Sequence, residues 1–260
     1  MSRIDDIFTR HREAGTRALM PFLTGGFPDL EQTRRALLGM GDAGASIVEI
    51  GFPYSDPIAD GPVIASSMHE ALTSGLRIQD LFEMTASIRD QISIGLVAMV
   101  SESIIERYGT KDFVEQAAQS GFDGLIVPDM DLARTMDLSA IADANNLSLT
   151  FLIAPTTSPE RCRKIAEACR GFIYLLAQSG LTGERDQAPE IQRQVEMVRS
   201  CSDLPIAAGF GISNSDHVKQ VTAHADAAIV GSALVRRMTG AQDPAQAALD
   251  FTRELATGLA

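Results

Sequence analysis

Along the chain, short apolar runs rich in β-branched residues alternate with longer segments whose apolar positions recur every three or four residues. Ala18 to Leu23 reads as a first strand, and Leu30 to Ala43, closed by Gly44, as a helix. Ser46 to Gly51 is a second short buried strand. From Pro62, the residues Ile64, Met68, Ala71 and Leu72 share one helical face that stops at Gly75, and another helix runs from about Ile78 to Gln91. Strand two is therefore followed by two helices. Further apolar runs lie at Ile92 to Val100, Asp123 to Val127, Leu147 to Ile153, Phe172 to Leu176, Leu204 to Ala207 and Ala227 to Val230. Each precedes a segment of helical character, the last helices lying near Ala233 to Met238 and Pro244 to Leu255. Ahead of the first strand, Ile4, Ile7 and Phe8 have helical spacing, which predicts a short amphipathic cap over Arg3 to Ala14.

Such alternation implies a parallel sheet. Eight units with no polar linker between them predict one α/β domain over residues 1–260, a (β/α)₈ TIM barrel with an N-terminal capping helix and an extra helix after strand 2. A doubly wound open sheet is the other arrangement that the alternation allows.

Composition narrows the function classes. The chain is 45% hydrophobic, enough for a full core, and its formal net charge of -12 argues against nucleic acid or a membrane surface as partner, since both select clustered cations. No apolar run of signal-peptide or membrane-span length opens the chain, so a soluble protein is expected. Cys162, Cys169 and Cys201 are odd in number and form no C-x-x-C pair, and they read as reduced thiols of a cytoplasmic protein.

The candidate chemistry gathers around SIVEIGFPYSDPIADGP, Ser46 to Pro62. Glu49 lies within an apolar strand, where desolvation disfavours its anion and raises its pKa unless a partner compensates. It is either a proton shuttle or a structurally held buried acid. Strand alternation sets Ile47, Glu49 and Gly51 on one face, which in a barrel is the interior near the carboxyl end of strand two. Asp60 then lies on the following loop toward the same pocket; either Asp56 or Asp60 could instead cap the next helix, and for Asp56 a capping or hinge role and a chemical one are equally open. Glycine-bearing turns follow the last three strands: Ser179 to Gly183, Gly209 to Ser213, and Gly231 with Ser232. Any one of them could be ordinary strand-to-helix punctuation, but such barrels commonly hold a phosphate on backbone N–H groups of the loops after strands seven and eight, and the three together predict a phosphate site. Phe22, Ile153, Tyr174 and Phe210 come at or just after strands and predict an apolar, partly aromatic wall.

Other mechanisms find no residues. Lys111, Lys164 and Lys219 all fall on predicted helices, away from the interior that a Schiff-base amine would need. His11, His69, His217 and His224 are scattered, without metal-ligand spacing, and read as surface residues, so no metal and no cofactor is expected. Carboxylate acid-base work on a phosphorylated substrate remains.

These stretches, with FLTGGFPD, FLIAPTTSPER, YLLAQSGLTG, GFGIS and VGSAL, resemble the α subunit of tryptophan synthase over nearly the whole chain. The resemblance implies a lyase that splits indole-3-glycerol phosphate into indole and glyceraldehyde 3-phosphate. It implies that Glu49 protonates the departing ring carbon and takes the hydroxyl proton, that Asp60 holds the indole N–H, and that Tyr174 lies beside the substrate. Gly183, Phe210, Gly211, Gly231 and Ser232 would bind the phosphate, and Thr182 would meet Asp60 as the loop from Gln178 to Pro189 closes. It further implies a pyridoxal-phosphate β subunit as partner, in an αββα assembly that passes on the indole. Met99 to Ile104 departs from the family's usual pattern, which alters an indole-side aromatic and a partner-facing turn. A free-standing lyase, a regulator that only binds the β subunit and another sugar-phosphate barrel enzyme are the competing readings.

Overall fold

The computed structural model describes residues 2–55, 61–131, 134–177, 191–209 and 211–259. Helix α1 (Arg3–Ala14) is followed by β1 (Ala18–Thr24), α2 (Leu30–Met40), β2 (Ile47–Gly51), α3 (Pro62–Thr73), α4 (Ile78–Ile88), β3 (Gly95–Met99), α5 (Glu102–Tyr108), α6 (Thr110–Gln119) and β4 (Gly124–Ile126). The second half runs α7 (Thr135–Ala144), β5 (Ser148–Thr150), β6 (Leu152–Ile153), α8 (Pro159–Ala168), β7 (Ile173–Leu176), α9 (Gln192–Arg199), β8 (Ile206–Gly209), α10 (Ser215–Thr222), β9 (Ala227–Val230), α11 (Ser232–Met238) and α12 (Pro244–Ala256).

All strand pairs are parallel, in the order β5-β4-β3-β2-β1-β9-β8-β7-β6. The two ends of that order are consecutive in sequence, separated only by Phe151. β5 and β6 are thus two pieces of one barrel strand, and the chain itself closes the ring. The predicted (β/α)₈ barrel is present, as is the extra helix α4 after strand two. A second extra helix was not anticipated: Gly109, at φ +100°, divides the segment after β3 into α5 and α6. That backbone region is strained for residues with a Cβ.

At least six of the helices start on a local sequence signal. Ser2 and Asp5 form a reciprocal capping box on α1, Asp29 and Asn214 accept N–H bonds at the starts of α2 and α10, and Pro62, Pro159 and Pro244 open α3, α8 and α12. The helices bury their apolar stripes against the outside of the barrel. Inside, Met20, Ile47, Val97, Ile126 and Phe172 pack with Ile4, Ile7 and Phe8 of α1, which plug the end opposite the strand carboxyl termini. The plug fits closely, since a Cβ on Gly95 would lie 2.8 Å from Ile4 Cδ1.

One bracket occurs twice, half a barrel apart. Arg89 donates to the Ile94 carbonyl at 3.1 Å and pairs with Asp123, whose Oδ2 accepts from Leu96 N–H at 2.8 Å. Arg199 donates to the Leu204 carbonyl at 3.2 Å and pairs with Asp226, whose Oδ2 accepts from Ile206 N–H at 2.8 Å. In each case an arginine near a helix end and an aspartate just before the next strand fix where the strand between them begins. Among the described residues no helix is long and apolar enough to cross a membrane.

Candidate active site

Period-two alternation in β2 turns Glu49 into the barrel, level with Phe22 on β1 and Val97 on β3. Its side chain is fully buried, and neither carboxyl oxygen has a hydrogen-bond partner among the described residues. Desolvation therefore acts without offset, and burial pushes the carboxyl well above the usual carboxylate range. Burial therefore favours the protonated acid over its anion.

Glu49 lies on the wall of a cavity at the carboxyl ends of the strands, of about 860 Å³ including its open mouth. Phe22, Ile64, Met68, Met99, Leu152, Tyr174 and Ile229 make most of that wall apolar, while Gly211, Gly231 and Ser232 also line it. Two glycines make room for the aromatic rings. A Cβ on Gly51 would sit 2.5 Å from Phe22 Cζ, and one on Gly209 would sit 2.7 Å from the Tyr174 hydroxyl. No lysine or arginine lines the cavity among the described residues, and Lys111, Lys164 and Lys219 are exposed on the outer helices. Among the described residues, an anion there would be met by backbone N–H groups and the Ser232 hydroxyl. Ser232 is the first residue of α11, at the favourable end of its dipole.

The structure brings together Glu49, Phe22, Tyr174, Gly211, Gly231 and Ser232. Asp60, Thr182, Gly183 and Phe210, together with the Gln178 to Pro189 loop, lie outside the described residues. Ile153 is corrected. It is fully buried in the layer between barrel and helices, and Leu152 holds the place on the cavity wall. The register pairs Leu152 with Tyr174, so these two share a face and Ile153 turns outward.

Several lining residues were not among the predicted site residues, including Tyr54, Ile64, Met68, Pro128, Ile212 and Ile229. Met99, Val100 and Ser101, from the stretch that departs from the family pattern, also face the cavity. That stretch is braced from the next loop, as Ser101 Oγ donates to Asp129 Oδ2 at 2.7 Å and Glu102 N–H donates to Oδ1 at 2.9 Å. His217, expected on the surface, is buried, with its ring turned to the Gly211 carbonyl. His69 and His224 are exposed, and His11 is half-buried between Thr16 and Ser46.

Comparison with known proteins agrees with this geometry. The family model for the tryptophan synthase alpha chain matches residues 8–259. A tryptophan synthase alpha chain from Synechococcus sp. is 45% identical over 236 residues, covering 90% of this chain and 88% of that one. Its counterpart from Thermosynechococcus vestitus is 42% identical over 259 residues, covering 99% and 97%. Among solved structures, tryptophan synthase from Mycobacterium tuberculosis superposes with a TM-score of 0.91 at 34% identity, covering 99% of this chain and 98% of that one. Tryptophan synthase subunit alpha from Legionella pneumophila gives 0.91 at 30% identity, covering 100% and 98%. With a barrel of this register, a buried interior acid at its open end and a family model spanning almost every residue, the chain belongs to the tryptophan synthase alpha chain family.

Proposed function

We propose that this chain cleaves indole-3-glycerol phosphate to indole and glyceraldehyde 3-phosphate and passes the indole to a β subunit. The observation that carries the reading is Glu49, a fully buried acid with no hydrogen-bond partner among the described residues, facing an apolar cavity whose other side is lined by glycine backbone and Ser232.

Retro-aldol cleavage at the indole C3 needs one proton delivered to that ring carbon and one removed from the hydroxyl that becomes the aldehyde. Glu49, whose burial favours the protonated form, donates the first proton. The carboxylate so formed takes the hydroxyl proton as the C–C bond breaks, which restores the acid, so protons and electrons balance without an added redox partner. Phe22, Met99, Leu152 and Tyr174 offer the flat apolar half of the substrate a dry wall. Gly211, Gly231 and Ser232 offer the phosphate backbone N–H groups and a hydroxyl. Asp60 as acceptor of the indole N–H, and Thr182, Gly183 and Phe210 on the phosphate and loop side, enter this reading through the family's motifs. So does the αββα assembly with a pyridoxal-phosphate β subunit. A cytoplasmic location fits a biosynthetic enzyme with three free cysteines.

The test is indole release from indole-3-glycerol phosphate by the purified chain and by Glu49→Gln. Loss of a general acid-base group costs about 10²- to 10⁴-fold, so the variant should fall at least a hundredfold while still binding a non-cleavable analogue. Undiminished turnover in the variant would remove Glu49 from the mechanism.

A further inference from the structure

His217 is a buried titratable residue that the chemistry above does not use. It stands at the third position of α10, only 4% exposed, directly after the turn whose residues Gly211 and Ile212 line the cavity. Three contacts fold it back on that turn. Its own N–H donates to the Asn214 side chain at 2.9 Å, and its Nδ1 lies 3.3 Å from the Gly211 carbonyl and 3.4 Å from Ser213 Oγ. A carbonyl can only accept, so the bond to Gly211 requires the proton on Nδ1. Gly211 has φ +80°, so the turn depends on a backbone conformation that strand and helix propensity do not supply.

We propose that His217 is a positioning residue for the phosphate end of the substrate. The reasoning is geometric and rests on the lyase reading of the cavity. In a trans peptide the carbonyl of one residue and the N–H of the next point in opposite directions. With the Gly211 carbonyl held toward the imidazole behind the turn, the Ile212 N–H is directed away from α10, the direction in which a donor is useful to an anion in the cavity. The ring touches no reacting atom. It fixes the peptide plane, and an apolar residue of similar size would fill the space without fixing it.

The experiment uses the reverse reaction, condensation of indole with glyceraldehyde 3-phosphate, in which each half of the substrate has its own KM. His217→Leu keeps the bulk and removes the donor. His217→Asn places an amide nitrogen near the former Nδ1, whereas His217→Gln places it near Nε2, so Asn is the rescuing variant. The KM for glyceraldehyde 3-phosphate is expected to rise about tenfold in Leu and Gln, the value of one buried hydrogen bond, and to return to within about threefold of wild type in Asn. The KM for indole and kcat should stay within about twofold throughout, since an interaction with one half of the substrate is lost. An unchanged KM for glyceraldehyde 3-phosphate overturns the proposal. So does a parallel fall in kcat and both affinities that Asn does not rescue, because that is general damage to the fold. Should His217→Leu not fold, the Gln and Asn pair carries the same comparison.

Calorimetric titration with inorganic phosphate separates this proposal from the lyase reading. If the wild type makes no indole-3-glycerol phosphate but binds phosphate, weakly in Leu and again in Asn, the substrate assignment fails and the role of His217 stands. Equal phosphate binding by all variants overturns it, and no binding by the wild type overturns both.

Discussion

At the scale of single residues, Glu49 couples the candidate chemistry to the stability of the fold. Its folded-state pKa lies well above the ordinary value of 4.5, and desolvation is the cause. A raised carboxyl favours the protonated folded state, so its contribution is complete below 4.5 and is lost as pH rises through the raised pKa. Inside that window the unfolded chain has released the proton that the folded chain keeps, and stability falls by about 1.4 kcal/mol per pH unit. Glu49→Gln cannot titrate. Its stability relative to wild type should therefore grow between about pH 5 and about pH 7, which urea unfolding at the two values would show directly. A constant difference would mean that the carboxyl titrates normally. Gly51 makes a second prediction at this scale. In Gly51→Ala the new methyl would lie 2.5 Å from Phe22 Cζ, so the ring must leave the wall that it forms above Glu49. Overpacking of this kind costs about 1–3 kcal/mol, and the KM for indole should rise with it. A variant with wild-type melting temperature and KM would show that the ring relaxes without effect.

At the scale of elements, the repeated Arg–Asp bracket shows how strand starts are fixed in a sheet that has no hairpins to set register. Asp123 is largely buried, and desolvation raises its pKa against the pull of Arg89, the Leu96 N–H and Arg3. Replacing either aspartate by alanine leaves a strand N–H and a guanidinium without their acceptor. Asp123→Ala should cost about 1–3 kcal/mol, and the more exposed Asp226→Ala less. The two brackets share no partner, so a double variant should be additive to within about 0.5 kcal/mol. Denaturant midpoints of the four proteins decide this, and marked non-additivity would mean that the two halves of the barrel do not take up these brackets independently. The bracket also marks where sequence reading stops. Strands such as Ile47–Gly51 and Ala227–Val230 are plain in sequence because β-branched runs sit between helical stripes. Pairing an arginine with an aspartate 34 residues later is not, because nothing local records it. Ile153 was misplaced for a related reason: the run Leu147 to Ile153 alternates only as far as Thr150 and then ends in three consecutive apolar residues, so their parity came from a pairing partner, Tyr174. Thr150, bonded to the Phe172 carbonyl inside the barrel, was the local signal that put Leu152 on the inner face. His217 had a signal too, in the Asn214 cap three residues before it, but a polar residue in a helical first turn is ordinarily solvated.

At the scale of the whole molecule, the barrel separates what holds the fold from what faces a substrate. α1 seals one end with Ile4, Ile7 and Phe8, and the cavity with Glu49 opens at the other, bounded by connections that follow the strands. A partner that speeds the reaction must therefore act through those connections, because the sheet beneath them is braced on both faces. Loss of Glu49 and loss of docking should then be separable. Indole release by the wild-type chain is expected to rise at least about tenfold when a β subunit from the same source is added, an activation that requires at least about 1.4 kcal/mol of coupling. Glu49→Gln should remain inert with the partner present, yet still bind it and raise its rate of tryptophan formation from indole and serine, since the substituted group lies inside the barrel and not on its rim. Hydrogen exchange read on the same mixture should show protection in the segments after β2, β3 and β4, and none in α1. Rate enhancement with protection confined to α1 would place the partner at the sealed end and refute communication through the cavity mouth. Wild-type release that the partner leaves unchanged would instead make the chain a free-standing lyase, with Met99 to Ile104, at the rim, as the first segment to exchange for that of a partner-activated relative.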